Sequence, residues 1–566
     1  MRSIGNLGVL AWVRLRPTDW QKTLAVAALI GVLGALATIG FRGVLAFAES
    51  LLFGRSDGLV HIAQGLPWWQ RLAAPAAGGM VAGVLLAWSR RVGGERAGGD
   101  YMEAVSLGDG NLPVRESMVR ALSSAATVAT GGAIGREGPM VQLAALTGSL
   151  IGRWQRAPIP RRRLMVACGA AAGVATAYSA PIAGALFVAE IVLQSVAIES
   201  LGPLLVASVA ANLTMTELTG FAPVYRMPAF ALPHSTSTLL LAVLGIISGL
   251  AAPVYLWLLD QAHRAFGQWQ APLWLKLGAG GLMVGGLSIV EPAVWGNGFS
   301  VVNSILQGGW PWAALLVVLA FKLVAVAATT GSGAVGGVFT PTLFVGAVSG
   351  ALFGAAAQQL SPGVMSVPSG VAVGMGAFLA ACTHAPLMSV LMIFEMTENY
   401  GVVVPSMLAC VISYFISRAL RPKSIYAAAR ASRPSPQLAM ASDFLRTDSA
   451  TIRVGQSICE LEQTFMRHRW PHVYVLDAND RFLGAISLHD LTPLLRDPSP
   501  AEKWPNELLR TGYPRVGVLT PSWQVLEIFA THPGERLPVL DQQGRLLGHV
   551  TKTDLVLMFR ERLSVS

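Results

Sequence analysis

The stretch GGAIGREGPM, residues 131–140, sets Arg136 and Glu137 between two long apolar segments. SSAATVAT (123–130) precedes it, VQLAALTGSL (141–150) follows, and both flanks read as membrane interior. A carboxylate inside a membrane is costly, so an acid kept there marks a working position or a paired one. The glycines permit a tight backbone, and Pro139 suits the first turn of a helix, where no N–H partner is lost. The stretch therefore reads as a break in the embedded chain followed by a helix start. Free N–H groups and a helix dipole of about +0.5 charge make such a start attractive to an anion. Irregular backbone at membrane depth is tolerated only inside protein or beside a water-filled path.

The rest of the chain supports the membrane setting. Of 566 residues, 53% are hydrophobic, 13% are charged and 60 are glycine, whereas soluble domains are about 25% charged. The mean hydropathy is +0.54. Abundant glycine lets membrane helices approach closely, so a polytopic helical membrane protein is expected. Thr23 to Gly40 is uncharged and about long enough to cross a bilayer core. It follows a basic, interfacial start (1–22) without a small-residue cleavage site, so an uncleaved first helix is expected. The net charge of +10 sits in loops such as GRWQRAPIPRRR (152–163) and SRALRPKSIYAAARASR (417–433). The positive-inside rule assigns such loops to the cytoplasm and accounts for the charge without nucleic acid. Cys168, Cys382, Cys410 and Cys459 are isolated and read as small apolar residues rather than a metal or disulfide framework. Without HExxH, a GxSxG with triad partners, or ligand-spaced histidines, neither an enzyme nor a metal centre is expected.

Two internal repeats organise the chain. In the membrane part, GGMVAG (78–83) resembles GGLMVG (280–285), and GGAIGREGP, ending at Pro139, resembles GAVGGVFTP, ending at Pro341, each pair 202 residues apart (280 − 78 and 341 − 139). APIAGALFVAE (180–190) resembles APLMSVLMIFE (385–395), 205 residues on (385 − 180). Two related halves, about 23–215 and 236–420, are expected. Transporter halves of this kind are often inverted, with broken helices and a site at their interface. Two helix starts facing one point would hold an anion by partial charges and still let it leave. Beyond about residue 430 the chain becomes charged and ordinary. There PHVYVLDANDRFLGAISLHDL (471–491) lines up with ERLPVLDQQGRLLGHVTKTDL (535–555), Asp477 matching Asp541 and Asp490 matching Asp554, 64 residues apart (541 − 477). Each unit reads as helix, strand, turn, strand, helix.

GREGP (135–139), GGVFTP (336–341) and the paired AP…E helices resemble the CLC chloride channels and proton/chloride antiporters, and in detail their bacterial ClcB-type branch. The C-terminal repeat resembles a tandem CBS pair. The resemblance covers essentially the whole chain. It implies a CLC fold of two inverted-repeat halves with broken helices (23–426), a linker (427–442) and an α+β CBS pair (443–498 and 499–566). It implies chloride and other small anions as cargo, the lipid bilayer as surroundings, a homodimer, and the inner membrane with the CBS pair in the cytoplasm.

The resemblance also assigns roles by position. Glu137 would be the gate: ionised, it occupies an anion position, and protonated, it swings away. Arg136, Gly138, Val338 and Phe339 would surround the anion with helix-start N–H groups, and Tyr426 in KSIY would offer its hydroxyl. In the CBS pair, Ser487 with Asp490, and Thr551 or Thr553 with Asp554, correspond to residues that can hold an adenine nucleotide. Read as plain structure, Ser487 and Thr551 would instead cap the following helices. No cofactor is required for transport.

Two departures matter. The motif GSGIP is missing, and AGGDYME (97–103) stands in its place, with Gly99 where an anion-coordinating serine is expected. Asp100 beside it would repel anions, so it is expected to point elsewhere or to be neutralised. The proton-relay position holds Ile191 rather than glutamate. Channel-like or weakly proton-coupled flux is therefore expected, with proton/chloride antiport as the alternative. A nucleotide-sensing membrane protein without flux is the remote one. Glu190 and Glu395 read as structural acids.

Overall fold

The computed structural model describes residues 19–56, 58–93, 100–106, 108–220, 224–228, 235–361, 363–427, 440–495, 506–532 and 534–555. Gly99, most of the 1–22 segment and most of the 427–442 linker lie outside them. The chain divides into two units, Met1–Arg430 and Ala431–Ser566.

The first unit is helical. Its first half holds α1 (Asp19–Phe53), α2 (Leu59–Gly65), α3 (Trp68–Gly93), α4 (Tyr101–Ser106), α5 (Val114–Ala129), α6 (Glu137–Trp154), α7 (Ile159–Tyr178), α8 (Pro181–Phe187) and α9 (Ile198–Thr219). A π-helical turn, Val188–Leu193, extends α8. The second half holds α10 (Ser235–Gln268), α11 (Leu273–Val290), α12 (Phe299–Gln307), α13 (Trp312–Gly331), α14 (Phe339–Leu360), α15 (Val367–Thr383), α16 (Pro386–Thr397) and α17 (Val403–Leu420). Among the described residues, eight helices are long and apolar enough to cross a membrane. Phe47, Leu213, Leu239, Val290 and Phe415 are large, apolar and exposed on them, as a lipid-facing surface requires.

The halves meet as equivalents. Helix α3 packs on α11, and α8 on α16. Gly135 and Gly337 form an antiparallel bridge, the N–H of each donating to the carbonyl of the other at 2.7 and 2.8 Å. They are equivalent positions, 202 residues apart (337 − 135). A reciprocal antiparallel contact between equivalents is the mark of a two-fold axis lying across the chain direction, so the repeats are inverted.

The carboxylates of α16 and the α8 extension follow the same symmetry. Glu395 accepts from the N–H groups of Ile182 and Ala183 at 2.9 and 2.7 Å, and Glu190 from those of Leu387 and Met388 at 3.3 and 2.7 Å. Each acid therefore caps the first turn of the other half's short helix, where backbone donors have no intrahelical partner. Both acids are structural, as expected.

The second unit is a pair of small α+β repeats. Strand β1 (Thr451–Arg453) runs parallel to β2 (His472–Leu476), which pairs antiparallel with β3 (Phe482–Ser487). Strands β4 (Val516–Gly517), β5 (Arg536–Leu540) and β6 (Leu546–Thr551) repeat the pattern. Helices α18 (Ile458–His468) and α19 (Leu488–Leu495) flank the first sheet, and α20 (Ser522–Thr531) precedes β5. The leading strands β1 and β4 are additions to the expected pattern; at three and two residues they are too short to show alternation. The side chains of Asp477 and Asp541 build the hairpin turns, accepting backbone N–H groups two and four residues on. Each repeat also lends its leading segment to the other: Arg446 bridges His549, and Arg510 bridges Ala485.

Candidate functional site

The broken stretches put two helix starts side by side. Arg136 is the cap residue of α6 and Val338 that of α14, so Glu137 and Phe339 are the first helical residues and occupy equivalent positions. Pro139 and Pro341 both fall in the first turn. Glycine matters at two places here. Gly131 has φ +97°, and a β-carbon on it would run into the Trp295 ring. A β-carbon on Gly138 would sit 3.0 Å from the Gly336 carbonyl carbon, tighter than side chains usually pack, so glycine eases the approach of the two starts.

Glu137 is 6% exposed. Its Oε1 accepts from the Thr340 hydroxyl, and from Asn297 Nδ2 at 3.3 Å. Its Oε2 is buried with no hydrogen-bond partner among the described residues. The Tyr178 hydroxyl lies 3.1 Å from the Thr340 hydroxyl, completing a polar row across both halves.

Two cavities meet at this carboxylate. One, of about 440 Å³, is lined by Gly138, Val338, Phe339, Tyr426, Asp100 and Arg120 among others. The second, of about 320 Å³, is lined by Arg42, Arg136, Tyr225 and Asn297 among others. Glu137 and Tyr178 line both. Among the described residues that line the second cavity, Glu137 is the single acid against two arginines. Tyr426 joins an aromatic wall, its ring 5.7 Å from that of Phe187, which lies 6.1 Å from Phe339. The Ile425 N–H donates to the Cys382 carbonyl at 2.9 Å and holds this segment to α15.

The expected residues thus separate. Gly138, Val338, Phe339 and Tyr426 share the first cavity, and Arg136 faces the second. Of the two alternatives expected of Asp100, pointing elsewhere is not met: it stands on the wall of the first cavity, where the charge of Arg120 lies nearby to offset its own, and the Tyr101 N–H beside it donates to Gln142 Oε1 at 3.0 Å. Ile191 is buried in the π-helical turn and lines neither cavity. Thr340, Asn297, Tyr178 and Arg42 were not singled out from sequence. Thr340 lies inside GGVFTP and Asn297 between two glycines (296–298), which is the only local signal either carries.

In the second unit, the Asp490 carboxylate is paired with Arg510 at 2.9 and 2.6 Å, and Asp554 with Arg446 at 2.6 and 2.7 Å. The two arginines are equivalent, 64 residues apart (510 − 446), and each reaches the acid of the other repeat. Thr551 Oγ1 donates to Asp554 at 2.8 Å and accepts its backbone N–H at 2.9 Å, while Ser487 Oγ accepts from the His489 N–H at 3.3 Å. Both hydroxyls therefore cap helix starts. Thr553 is exposed. The Arg446 guanidinium holds the Asp554 carboxyl below the usual carboxylate range. That stabilisation is present above the unfolded carboxyl's pKa and is lost as pH falls through the lowered one.

An embedded helical chain with two inverted halves, broken helices meeting at one carboxylate, and a cavity on each side belongs to the class of membrane channels and transporters. Comparison with known proteins agrees. The voltage gated chloride channel family matches residues 78–418, and the CBS domain matches 441–497 and 507–561. A Ralstonia nicotianae protein described as ClcB-like is 52% identical over 417 residues, 72% of this chain and 96% of its own. The voltage-gated ClC-type chloride channel ClcB of Citrobacter koseri is 42% identical over 412 residues, 72% of this chain and 98% of its own. Among solved structures, a slow cyanobacterial Cl⁻/H⁺ antiporter matches with TM-score 0.64 at 24% identity over 72% of this chain and 97% of that one. A eukaryotic CLC transporter also matches with TM-score 0.64, at 18% identity over 94% and 97%. The chain belongs to the voltage gated chloride channel family, has the CLC fold, and carries a pair of CBS domains.

CBS pairs commonly bind adenine nucleotides, but the residues here are otherwise engaged. Both acids are held by arginine, and both hydroxyls cap helices. A cavity between the repeats, lined by Trp470, His472, Tyr513 and Arg536, holds about 10 Å³, room for about one water molecule. A nucleotide reaching these acids would have to displace both arginines. Millimolar ATP, ADP or AMP is therefore expected to shift the melting temperature of the purified chain by less than about 1 °C, where ligand at 100 times its Kd adds about 2.7 kcal/mol. A shift of several degrees would show that the ion pairs yield to ligand.

Proposed function

We propose that the chain carries chloride and other small anions across the bacterial inner membrane through a pathway gated by Glu137, with channel-like or weakly proton-coupled flux. The observation that carries this reading is Glu137 itself, buried between two cavities at paired helix starts. Ionised, its carboxylate holds the point where an anion would pass; protonated, it loses its charge and its claim on that point. Val338 and Phe339 offer helix-start N–H groups, Gly138 leaves room for them, Tyr426 offers its hydroxyl, and Arg136 draws anions into the second cavity. The relatives named chloride channels favour chloride as cargo. The apolar Ile191, buried where a relay acid is expected, favours weak coupling. By family resemblance the chain forms a homodimer with one pathway per subunit and a cytoplasmic CBS pair.

One observation favours the second reading, proton/chloride antiport: Asp100 shares the first cavity with Glu137 and offers a proton another stopping place. Chloride-loaded liposomes containing the chain, given a potassium shunt, separate the two when external chloride and pH are recorded together. Chloride efflux without proton movement is expected. Proton uptake against a gradient would establish antiport, and absence of any efflux would overturn the transport reading.

A further inference from the structure

Lys322, in the middle of α13, is 0% exposed, and no carboxylate pairs with it among the described residues. Its ammonium donates to the Val294 carbonyl at 2.8 Å and the Gly296 carbonyl at 2.7 Å, lies 3.5 Å from the Trp295 carbonyl, and sits 5.5 Å from the centre of the Phe344 ring. Burying an ammonium is costly unless its donors are satisfied. An apolar side chain would suit a helix made almost wholly of apolar residues. The three carbonyls belong to one turn, and three donors on a single nitrogen match them.

That turn leads to Glu137. Gly296 (φ +66°) and Gly298 (φ +91°) bracket Asn297. Asn297 Oδ1 accepts from the Phe299 N–H at 3.2 Å, which turns its amide nitrogen toward Glu137 Oε1 at 3.3 Å. The Gly296 N–H donates to the Gly131 carbonyl at 3.3 Å, tying the turn to the stretch that precedes Glu137. Lys322, the 294–298 turn, Asn297 and Glu137 form one hydrogen-bonded line.

We propose that Lys322 is a positioning residue for Glu137: it clamps the 294–298 turn so that Asn297 donates to the carboxylate, and so sets how readily Glu137 takes up a proton and leaves its place. The proposal rests on the gating reading of Glu137. A hydrogen bond donated to a carboxylate favours its charged form. The charged and titratable groups around Glu137 are Arg136, Arg42, Tyr178, Tyr225 and Tyr426, with Asp100, Tyr101, Glu116, Arg120 and His263 on the wall of the first cavity it lines. Among the described residues none of these hydrogen-bonds or ion-pairs with Lys322, whose polar partners are the three carbonyls and whose ring partner is Phe344.

The test is initial anion flux against pH in liposomes, for the full chain and for Lys322→Met, Asn297→Leu and the double variant. Each single substitution is expected to move the pH midpoint of flux upward by about 0.5–1 unit, a three- to tenfold change in proton affinity. The double variant should move it no further, and Lys322→Arg, which keeps the donors, should stay nearer the parent. Should Lys322→Met not assemble, Lys322→Gln is read in the same way. Reduced amplitude or melting temperature with an unmoved midpoint would make Lys322 a packing residue and overturn the proposal. If Glu137→Gln keeps the parent pH dependence, the gating reading fails instead. If Glu137→Gln loses it while the Lys322 midpoint stays put, only the clamp fails.

Discussion

Replacing Glu137 with glutamine is expected to abolish the pH dependence of anion flux and any proton movement that accompanies it. The two cavities meet at this carboxylate, and its Oε1 is held by Thr340 and Asn297. Glutamine keeps the shape and an acceptor oxygen but can neither carry the charge nor release a proton. A gate that opens on taking up one proton changes flux about tenfold per pH unit above its midpoint. The variant should lose that slope and vary by less than about twofold between pH 4.5 and 7.5. Its flux near neutral pH should exceed that of the parent, because the competing charge is gone. A steep profile retained in the variant, measured at matched protein content, would move the gate to another residue.

Replacing Glu395 with leucine is expected to cost about 2–4 kcal/mol, because two backbone donors at the start of α8 lose their acceptor. The distances are short, 2.9 Å to Ile182 and 2.7 Å to Ala183. Glu395→Gln keeps one acceptor oxygen and should cost about half as much. Glu190→Leu should behave alike, since it removes the equivalent cap on α16, though the 3.3 Å bond to Leu387 makes the loss smaller. Melting temperature and the monodisperse fraction in detergent read all three. An unchanged melt for Glu395→Leu would mean that the reciprocal caps do not hold the halves together.

Much of the architecture was legible because its causes are local or periodic. Gly-rich breaks closed by Pro139 and Pro341 announce helix starts within a few residues, and repeats at 202 and 64 residues announce paired units. The cavity-lining residues named from sequence are those at the breaks, Arg136, Glu137, Gly138, Val338 and Phe339, and, outside them, Tyr426. The direction of Asp100 was not legible because it depends on how α4 is seated, and the two-residue strand β4 is set by its partner β5 rather than by its own pattern.

What sequence alone determined here is therefore what neighbouring residues decide among themselves: membrane-embedded segments, helix starts, repeats, and a glutamate at a break. Tertiary structure decided who meets whom. Thr340 and Asn297 reach Glu137 across 203 and 160 residues (340 − 137 and 297 − 137), and Arg446 reaches Asp554 across 108 (554 − 446). Such pairings arise from two-fold packing of the repeats. A hydrogen bond or ion pair depends on ångström-scale approach, and chain separation says nothing of that until the halves have docked.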